Sequence, residues 1–237
     1  FLSFALSFSH TSLSPPPPPS SPSSSSSSSF LFSQQTTIRN GRGHGLTLDG
    51  HSFQLVAQPL PQPHAFFYEA DDDRVRREYY PAMAQLIKET MGAAHVVVFH
   101  HQVRNEARVS GDGRVNGYAL GIHSDAHPAH ADKVFLDLAF RDDTRALRRG
   151  RFVYINAWRS IGPEPVASHP LALLDETSTV KPDDYIATDL IAAGRTMQQY
   201  KLLDRNHARH RWFYFPAMVC MVVCLISPQK QKKKKKK

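Results

Sequence analysis

The stretch AHVVVFHHQVR, residues 94–104, is rich in β-branched and apolar side chains and predicts a buried strand. Shorter runs of the same kind lie on both sides of it, separated by turns and polar loops. They predict further strands at 46–48, 53–56, 118–125, 151–159, 170–175 and 211–216, and an outer pair at 185–190 and 199–203. Six or more short strands predict a mainly β domain with flanking helices, specifically a double-stranded β-helix, or jelly roll. An α+β sandwich of another topology would give a similar pattern.

Two segments between these strands show helical spacing. The three acids Asp71–Asp73 suit the positive N-terminal end of a helix, and apolar residues recur at helical spacing over 75–87. Gly92 can end this helix, and Pro81 is expected to kink or split it. A second helix is predicted over 128–149. Both helices are expected to pack on the outside of the β domain.

The sequence GIHSD, residues 121–125, contains the first candidate for catalytic chemistry. His123 and Asp125 are two residues apart on a predicted strand, so both side chains point to the same face and can bind one metal ion. Such a pair is half of the two-histidine, one-carboxylate set of non-heme Fe(II) oxygenases. With His127 and His130 the segment also has the pattern HxDxHxxH, which leaves a zinc site open. A zinc hydrolase would need a general-base glutamate, and none is nearby.

The two ends of the chain differ in composition from its middle. Residues 1–36 are mostly Ser, Pro, Phe and Leu and are expected to be a disordered or non-native leader, with an organelle transit peptide as the alternative. Residues 219–237 end in a run of lysines and are expected to be an aberrant apolar and basic tail. The remaining range, 37–218, is about 180 residues long and can form one domain with its own core.

Charge and cysteine content exclude several classes of protein. The net charge is +8, but Lys230 and Lys232–Lys237 supply seven of these charges, so a nucleic-acid partner is not indicated. The two cysteines, Cys220 and Cys224, exclude a disulfide scaffold and make a reducing, cytoplasmic location the default. The apolar run 212–227 is shorter than the about 20 residues that a membrane span needs. Oligomeric state cannot be inferred from these features.

Five stretches together resemble one known family. In chain order they are VVVFHHQVR (96–104), GIHSD (121–125), RFVYINAWRSIGPEP (151–165), HPLALLDETS (169–178) and HRWFYFPAM (210–218). Their order and spacing are similar to those of the AsaB/CmcJ-like hydroxylase/desaturase family of fungal and bacterial secondary metabolism. The run NAWR, followed by Gly162-Pro163, is the most specific part of the resemblance.

The resemblance implies an oxidation of a small molecule that uses Fe(II) and the co-substrate 2-oxoglutarate on a jelly-roll scaffold. His123 and Asp125 then correspond to the first two iron ligands. A histidine and a carboxylate on one face leave positions for a bidentate 2-oxo acid and for O2. Hydroxylation and desaturation both begin with removal of hydrogen from a C–H bond, so both stay open.

The third iron ligand is harder to assign. The family pattern continues beyond residue 218 with a His-bearing segment and a late Arg, and residues 219–237 replace that segment here. His210 is therefore the candidate third ligand, and a structural role beside Trp212 is the alternative.

Two arginines are candidates to bind a carboxylate of the co-substrate or substrate. Arg159 and Arg104 each offer a planar guanidinium fork, and an arginine at a strand end can equally be a surface residue. The resemblance places His101 beside Arg104 in the same pocket, with a structural histidine as the alternative. Asp175 follows a predicted strand and could lie near the mouth of a site, although an Asp there commonly marks a turn.

Three functions therefore stay open. The first is an Fe(II)- and 2-oxoglutarate-dependent hydroxylase or desaturase. The second is a related jelly-roll domain or fragment that binds but does not catalyse. The third is a zinc-dependent hydrolase.

Overall fold

The computed structural model describes residues 2–9, 35–119, 121–124, 153–192 and 195–226. Within these ranges the chain forms twelve strands in three sheets and four α-helices, which confirms the predicted mainly β domain with helices. The helices are α1 (Leu48–His51), α2 (Phe66–Glu69), α3 (Asp72–Glu78) and α4 (Tyr80–Met91). The strands are β1 (Leu2–Ser9), β2 (Ile38–Asn40), β3 (Phe53–Ala57), β4 (His95–Arg104), β5 (Val115–Asn116), β6 (His123–Ser124), β7 (Ile155–Arg159), β8 (Leu173–Leu174), β9 (Tyr185–Ala192), β10 (Arg195–Leu202), β11 (Trp212–Tyr214) and β12 (Val222–Ile226).

The largest sheet has six strands in the order β3-β12-β7-β1-β4-β5. Neighbouring strands are antiparallel except for β4 and β5, which run parallel. The stretch 94–104 forms β4, as its composition predicted, but the strand is not buried throughout, since only Val103 of its ten residues is fully buried. The stretch 151–159 ends in β7. We call this the large sheet.

Two three-stranded sheets complete the β structure. In the first, β10 lies between β6 and β9, and both pairs are antiparallel; we call it the small sheet. The pairing of β9 with β10 confirms the predicted outer pair at 185–190 and 199–203. In the second, β11 lies between β2, which is parallel to it, and β8, which is antiparallel.

The helical segment at 71–92 follows its sequence signals closely. The Asp71 carboxylate accepts a hydrogen bond from the backbone N–H of Arg74 at 2.7 Å and caps α3. Pro81 lies in the first turn of α4, so the predicted split falls just before it, at Tyr79. Gly92 ends α4 in the left-handed conformation, with φ of 61°.

Apolar side chains cover both faces of the large sheet. On one face α4 packs on β4, and the buried residues Met83 and Ile87 belong to the same cluster as Ile155. On the other face Trp158 joins a second cluster that contains Phe53. Alternate residues of β7 thus point into two different apolar clusters, as the period of a strand requires. Burial of each such large side chain contributes about 1.5–3 kcal/mol.

Two predicted strands differ from the structure. Residues 46–48 were expected to be strand, but Leu48–His51 is helical because the Thr47 hydroxyl accepts a hydrogen bond from the N–H of Gly50 at 3.0 Å and caps a helix. The strand expected over 118–125 is reduced to His123–Ser124 among its described residues. The helix predicted over 128–149 lies outside the described residues.

Both ends of the chain contribute a strand to the large sheet. Leu2–Ser9 forms β1 between β4 and β7, where disorder or a non-native leader was expected. Apolar residues alternate with Ser and Ala through this segment, which is the pattern of a strand. Val222–Ile226, from the expected aberrant tail, forms β12 between β3 and β7 because it is β-branched and apolar. The domain bounds 37–218 stay a prediction.

Candidate active site

His123 lies on β6, which pairs with the end of β10 so that His123 is opposite Lys201. Its side chain is exposed, and its Nδ1 lies 2.7 Å from the backbone carbonyl oxygen of Gly121. A carbonyl oxygen can only accept, so Nδ1 carries a proton, and in the neutral imidazole Nε2 then carries the lone pair. A carbonyl that fixes the tautomer in this way is the usual partner of a metal-binding histidine.

His123 is suited to be one ligand of an Fe(II) site. The described residues around it do not supply the other ligands. A neutral imidazole nitrogen suits Fe(II), and the tautomer of His123 presents that nitrogen as Nε2. Among the residues that the structure describes, no three His, Cys, Asp or Glu side chains form a group that could hold a metal ion. Asp125, the predicted second ligand, lies outside the described residues, so the pair His123 and Asp125 stays a prediction.

His210, the predicted third ligand, is held by a carboxylate. Its side chain is 1% exposed, and its Nε2 lies 3.1 Å from Oδ2 of Asp184. The same carboxylate accepts hydrogen bonds from the backbone N–H of Val180 at 2.6 Å and from Nδ2 of Asn206. Only Nδ1 of His210 is turned away from Asp184, so a metal ion could be bound through that atom alone.

The pKa of the Asp184 carboxyl group reflects this environment. Burial by itself raises the pKa, but the hydrogen bonds from Asn206, Val180 and His210 outweigh burial and hold the pKa below its usual value. Asp184 is therefore ionised at neutral pH, fully buried, and surrounded by donors.

Arg159, a predicted carboxylate-binding residue, is fully buried at the end of β7. Its NH1 donates to the Tyr79 hydroxyl at 2.9 Å and to Oε1 of Gln58 at 3.3 Å. Its NH2 donates to the backbone carbonyl oxygens of Gln58, at 2.7 Å, and of Cys220. Both terminal nitrogens are thus used inside the protein, and Nε is the one buried guanidinium atom with no hydrogen-bond partner.

Arg104 is half-buried on β4, and its NH1 donates to the backbone carbonyl oxygen of Gly117 at 2.7 Å. It is thus less enclosed than Arg159. Arg104 and His101 were expected in one pocket, but Arg104 does not line the pocket in which His101 lies.

That pocket has a volume of about 200 Å³ and lies beside β4 and β5. His101 Nδ1 in it lies 2.8 Å from the Tyr80 hydroxyl, and His101 Nε2 lies 3.6 Å from Asp72. Burial lowers the pKa of His101 and raises the pKa of Tyr80 to about 12. His123, Arg159 and His210 do not line this pocket, so it is separate from the predicted iron ligands that are described.

Comparison with known proteins decides the family. A family model described as "Oxidoreductase/YMDC permease-like domain" matches residues 9–236, which is nearly the whole chain. The chain belongs to this family. Relatives of the chain include fungal dioxygenases and a hydroxylase/desaturase, which confirms the resemblance stated above.

Three curated relatives illustrate this membership. The chain is 34% identical over 138 residues to the Fe(II)/2-oxoglutarate-dependent dioxygenase nvfI of Aspergillus novofumigatus, over 58% of this chain and 48% of the relative. It is 30% identical over 158 residues to the hydroxylase/desaturase efuI of Hormonema carpetanum, over 62% and 50%. It is 27% identical over 187 residues to the alpha-ketoglutarate-dependent dioxygenase tstK of Talaromyces stipitatus, over 72% and 61%. The chain thus spans between about half and three fifths of the length of these relatives.

Solved structures show the same relationship. The iron and alpha-ketoglutarate-dependent endoperoxidase NvfI, in a structure described as having a different conformation, superposes with a TM-score of 0.71 at 26% identity, over 80% of this chain and 68% of that chain. Another NvfI structure gives a TM-score of 0.72 at 22% identity, over 95% and 83%. The family member described here therefore shares the fold of this endoperoxidase.

Sequence reasoning missed a buried polar network in this family member. Asp184 and Asn206 were not considered, and Asp175 was expected either near the mouth of a site or at a turn, the second of which agrees with its cap of the turn Glu176–Ser178. Asp175 is 2% exposed and accepts from Arg211 through Nε at 3.1 Å and NH2 at 2.8 Å. The adjacent acids in KPDDY (181–185) give no sign of which one is buried, because its side-chain partners, Asn206 and His210, come from a segment more than 20 residues later.

The described α-helices have between 4 and 12 residues. None of those within 2–9, 35–119, 121–124, 153–192 and 195–226 is long and apolar enough to cross a bilayer.

Proposed function

We propose that this protein is an Fe(II)- and 2-oxoglutarate-dependent hydroxylase or desaturase of a small secondary metabolite, built on a double-stranded β-helix. The observation that carries the proposal is the tautomer of His123, whose Nδ1 donates to Gly121 and whose Nε2 therefore presents a lone pair. This histidine stands in a His-x-Asp motif of a chain whose relatives are named Fe(II)/2-oxoglutarate-dependent enzymes.

His123 and Asp125 are the residues that we assign to Fe(II). When bound, the metal together with 2-oxoglutarate would activate O2, the oxidant that allows hydrogen to be removed from an unactivated C–H bond of the substrate. The protein's contribution is to hold the imidazole of His123 in one orientation, which the bond to the Gly121 carbonyl provides. For the third position the described residues offer His210, through the Nδ1 atom that faces away from Asp184.

We assign the co-substrate carboxylate to Arg104 rather than to Arg159. Both terminal nitrogens of Arg159 already donate to Gln58, Tyr79 and Cys220 in the protein interior. A second carboxylate contact there would break existing hydrogen bonds of a fully buried cation, which is costly. Arg104 is half-buried, so it is less enclosed than Arg159, and the hydrogen bond described for its guanidinium goes to the backbone carbonyl oxygen of Gly117.

The decisive experiment measures metal binding and co-substrate turnover by the full chain. Under anaerobic conditions we expect Fe(II) to bind, and 2-oxoglutarate to bind only when Fe(II) is present. Replacing His123 with Ala should weaken Fe(II) binding at least about 100-fold. Substituting a residue that only hydrogen-bonds to a metal ligand typically weakens metal binding by about 10- to 100-fold. After O2 is admitted, the wild type with a substrate should convert 2-oxoglutarate to succinate and CO2.

Each outcome separates the three functions. If the His123→Ala variant bound Fe(II) as tightly as the wild type, the proposed site would be wrong. Fe(II) and 2-oxoglutarate binding without succinate formation would favour the non-catalytic domain. Zinc binding with no affinity for 2-oxoglutarate would favour the hydrolase. A parallel His210→Ala variant shows whether His210 is the third ligand, because only a ligand should match the loss seen for His123.

A further inference from the structure

The strand that carries His123 depends on its neighbours for its position. β6 has two residues, and in the described part of the chain it pairs with β10 alone. His123 is opposite Lys201, and Lys201 is opposite Ile186 of β9. The end of the β9–β10 hairpin is therefore the support that the described strands give to the residue carrying the imidazole.

One residue closes that end of the hairpin. Asp184 directly precedes β9, and its carbonyl oxygen accepts from the N–H of Leu203, directly after β10, at 2.8 Å. Its carboxylate accepts from the N–H of Val180, from Asn206 and from His210. Asp184 therefore ties the start of one strand and the end of the other to the segments on either side of the hairpin.

We propose that Asp184 is a positioning residue for the metal ligand His123, acting through the base of the β9–β10 hairpin. This inference rests on the proposed function, because it takes His123 as a ligand. The hydrogen bonds of Asp184 lie two residue pairs from the pairing of Lys201 with His123. If the hydrogen bonds of Asp184 are weakened, the end of β10 becomes free to move. The two-residue strand β6, which pairs with that end, then moves together with β10.

Asparagine cannot replace this carboxylate. A carboxylate accepts through both oxygens, and here Oδ1 takes Asn206 while Oδ2 takes Val180 and His210. The amide of an asparagine keeps one acceptor and turns an NH2 group toward at least one of these donors. A buried donor then loses its partner and the hairpin base opens.

Asp175 provides a matched control. It is another buried carboxylate, 2% exposed, which accepts from Thr177 and Arg211. It follows β8, whose partner is β11, and has no place in the sheet that contains β6. Asp175→Asn therefore removes comparable hydrogen bonds from a different sheet.

The test measures Mn(II) affinity of the full chain by calorimetry for the wild type, Asp184→Asn and Asp175→Asn. We expect Asp184→Asn to weaken Mn(II) binding at least about 10-fold, the lower end for residues that orient a metal ligand. Asp175→Asn should change it less than about twofold. Hydrogen exchange should show faster exchange of the Leu203 amide in Asp184→Asn alone.

The Asn206→Ala variant is designed to distinguish an effect transmitted through the hairpin from a direct effect of Asp184 on His210. It also serves as the test if Asp184→Asn does not fold. Asn206 donates to Asp184 and makes no described hydrogen bond to His210. Its loss should weaken Mn(II) binding by about threefold. One hydrogen bond to the charged Asp184 is then lost, and water partly replaces it. Unchanged affinity in this variant would overturn the hairpin route.

The outcomes distinguish this inference from the proposed function. A wild type that binds no Mn(II) overturns both. A wild type that binds Mn(II) while the folded Asp184→Asn variant binds equally well overturns only the role of Asp184. Equal losses in the Asp184 and Asp175 variants also overturn it, because the effect would then be one of general stability.

Discussion

Two stretches of the family pattern lie in different sheets and differ in burial. Arg159 belongs to the large sheet and is buried, whereas His123 belongs to the small sheet and is exposed. The run Asn156-Ala157-Trp158-Arg159 lies on a five-residue strand between two neighbours, and most of it is buried. His123 is exposed on a two-residue strand at the edge of its sheet. The more specific stretch of sequence, residues 156–159, thus lies in the interior of the protein. The candidate metal ligand His123 lies on a short strand at the edge of a small sheet.

This difference follows from what each residue must satisfy. Arg159 has to match two backbone carbonyls, a tyrosine hydroxyl and an amide at once, so its surroundings are strongly constrained. For His123 the described structure gives the hydrogen bond to the Gly121 carbonyl and the pairing of its short strand with β10. A distinctive motif can therefore mark structure rather than chemistry.

The largest effect is expected at Arg159. Replacement with Ala leaves Gln58, Tyr79 and Cys220 with buried groups that lose their donor, and we expect the free energy of unfolding to fall by at least about 3 kcal/mol. Urea unfolding measures this, with exposed Arg39→Ala as the control, expected within about 0.5 kcal/mol of the wild type.

The same variants could reverse the comparison. If Arg159→Ala kept its stability and lost affinity for 2-oxoglutarate, Arg159 would be a binding residue and the large sheet would carry chemistry. Arg159→Lys sharpens this further, because a lysine keeps the charge but cannot donate in the directions of the guanidinium fork.

Three of the six strands of the large sheet, β3, β4 and β7, could be predicted from local pattern. The β-branched run at 94–104 became β4, and the break near Pro81 fell between α3 and α4 as the missing N–H of proline requires. β1 was missed because the Ser-rich composition of its segment outweighed the alternation within Leu2–Ser9.

The site was less predictable because its supports are distant in sequence. His123 stands in a recognisable motif, but the partner that holds His210 is Asp184, 26 residues earlier. The acidic pair in which Asp184 stands has no local feature that distinguishes a buried carboxylate from an exposed one. Burial of Arg159 likewise depends on Gln58 and Cys220, which are far from it in the chain.

A second, smaller effect should depend on pH. Burial raises the pKa of Asp175, but hydrogen bonds from Thr177 and Arg211 outweigh it and hold the pKa below its usual value. A carboxyl whose pKa is lowered on folding stabilises the protein above its unfolded pKa of about 4 and loses this contribution as pH falls through the folded pKa. At pH 7 we expect Asp175→Asn to be about 2 kcal/mol less stable than the wild type, since hydrogen bonds to a charged group are lost.

Urea midpoints at pH 7 and pH 3 check this prediction. The difference between wild type and Asp175→Asn should shrink at pH 3, because the carboxyl of the unfolded wild type, with a pKa of about 4, binds a proton before that of the folded protein does. A difference that stayed constant between the two pH values would contradict an ionised Asp175. Neither sheet of the comparison contains Asp175, so Mn(II) affinity should not follow this change in stability.

A third effect concerns the helix that supports the large sheet. Gly92 ends α4 at φ of +61°, and Gly111, in the loop before β5, has no positive φ. A Cβ atom would meet nothing within 4 Å at either glycine, so the two sites differ in backbone conformation rather than in space. We expect Gly92→Ala to lower stability by about 1 kcal/mol and Gly111→Ala to leave it unchanged or raise it by up to about 1 kcal/mol. Equal changes in thermal unfolding would contradict the left-handed end of α4.

The smallest effect on stability is expected at His123, and it is the strictest test of the comparison. The side chain is exposed and its described hydrogen bond is to the nearby Gly121 carbonyl, which water can replace. His123→Ala should therefore unfold within about 0.5 kcal/mol of the metal-free wild type, although it loses metal affinity. With Fe(II) present, only the wild type should gain stability. At Fe(II) concentrations above the dissociation constant, its free energy of unfolding should rise with the logarithm of the Fe(II) concentration. A loss of stability in metal-free His123→Ala as large as that of Arg159→Ala would mean that the small sheet is as constrained as the large one, and that His123 is structural.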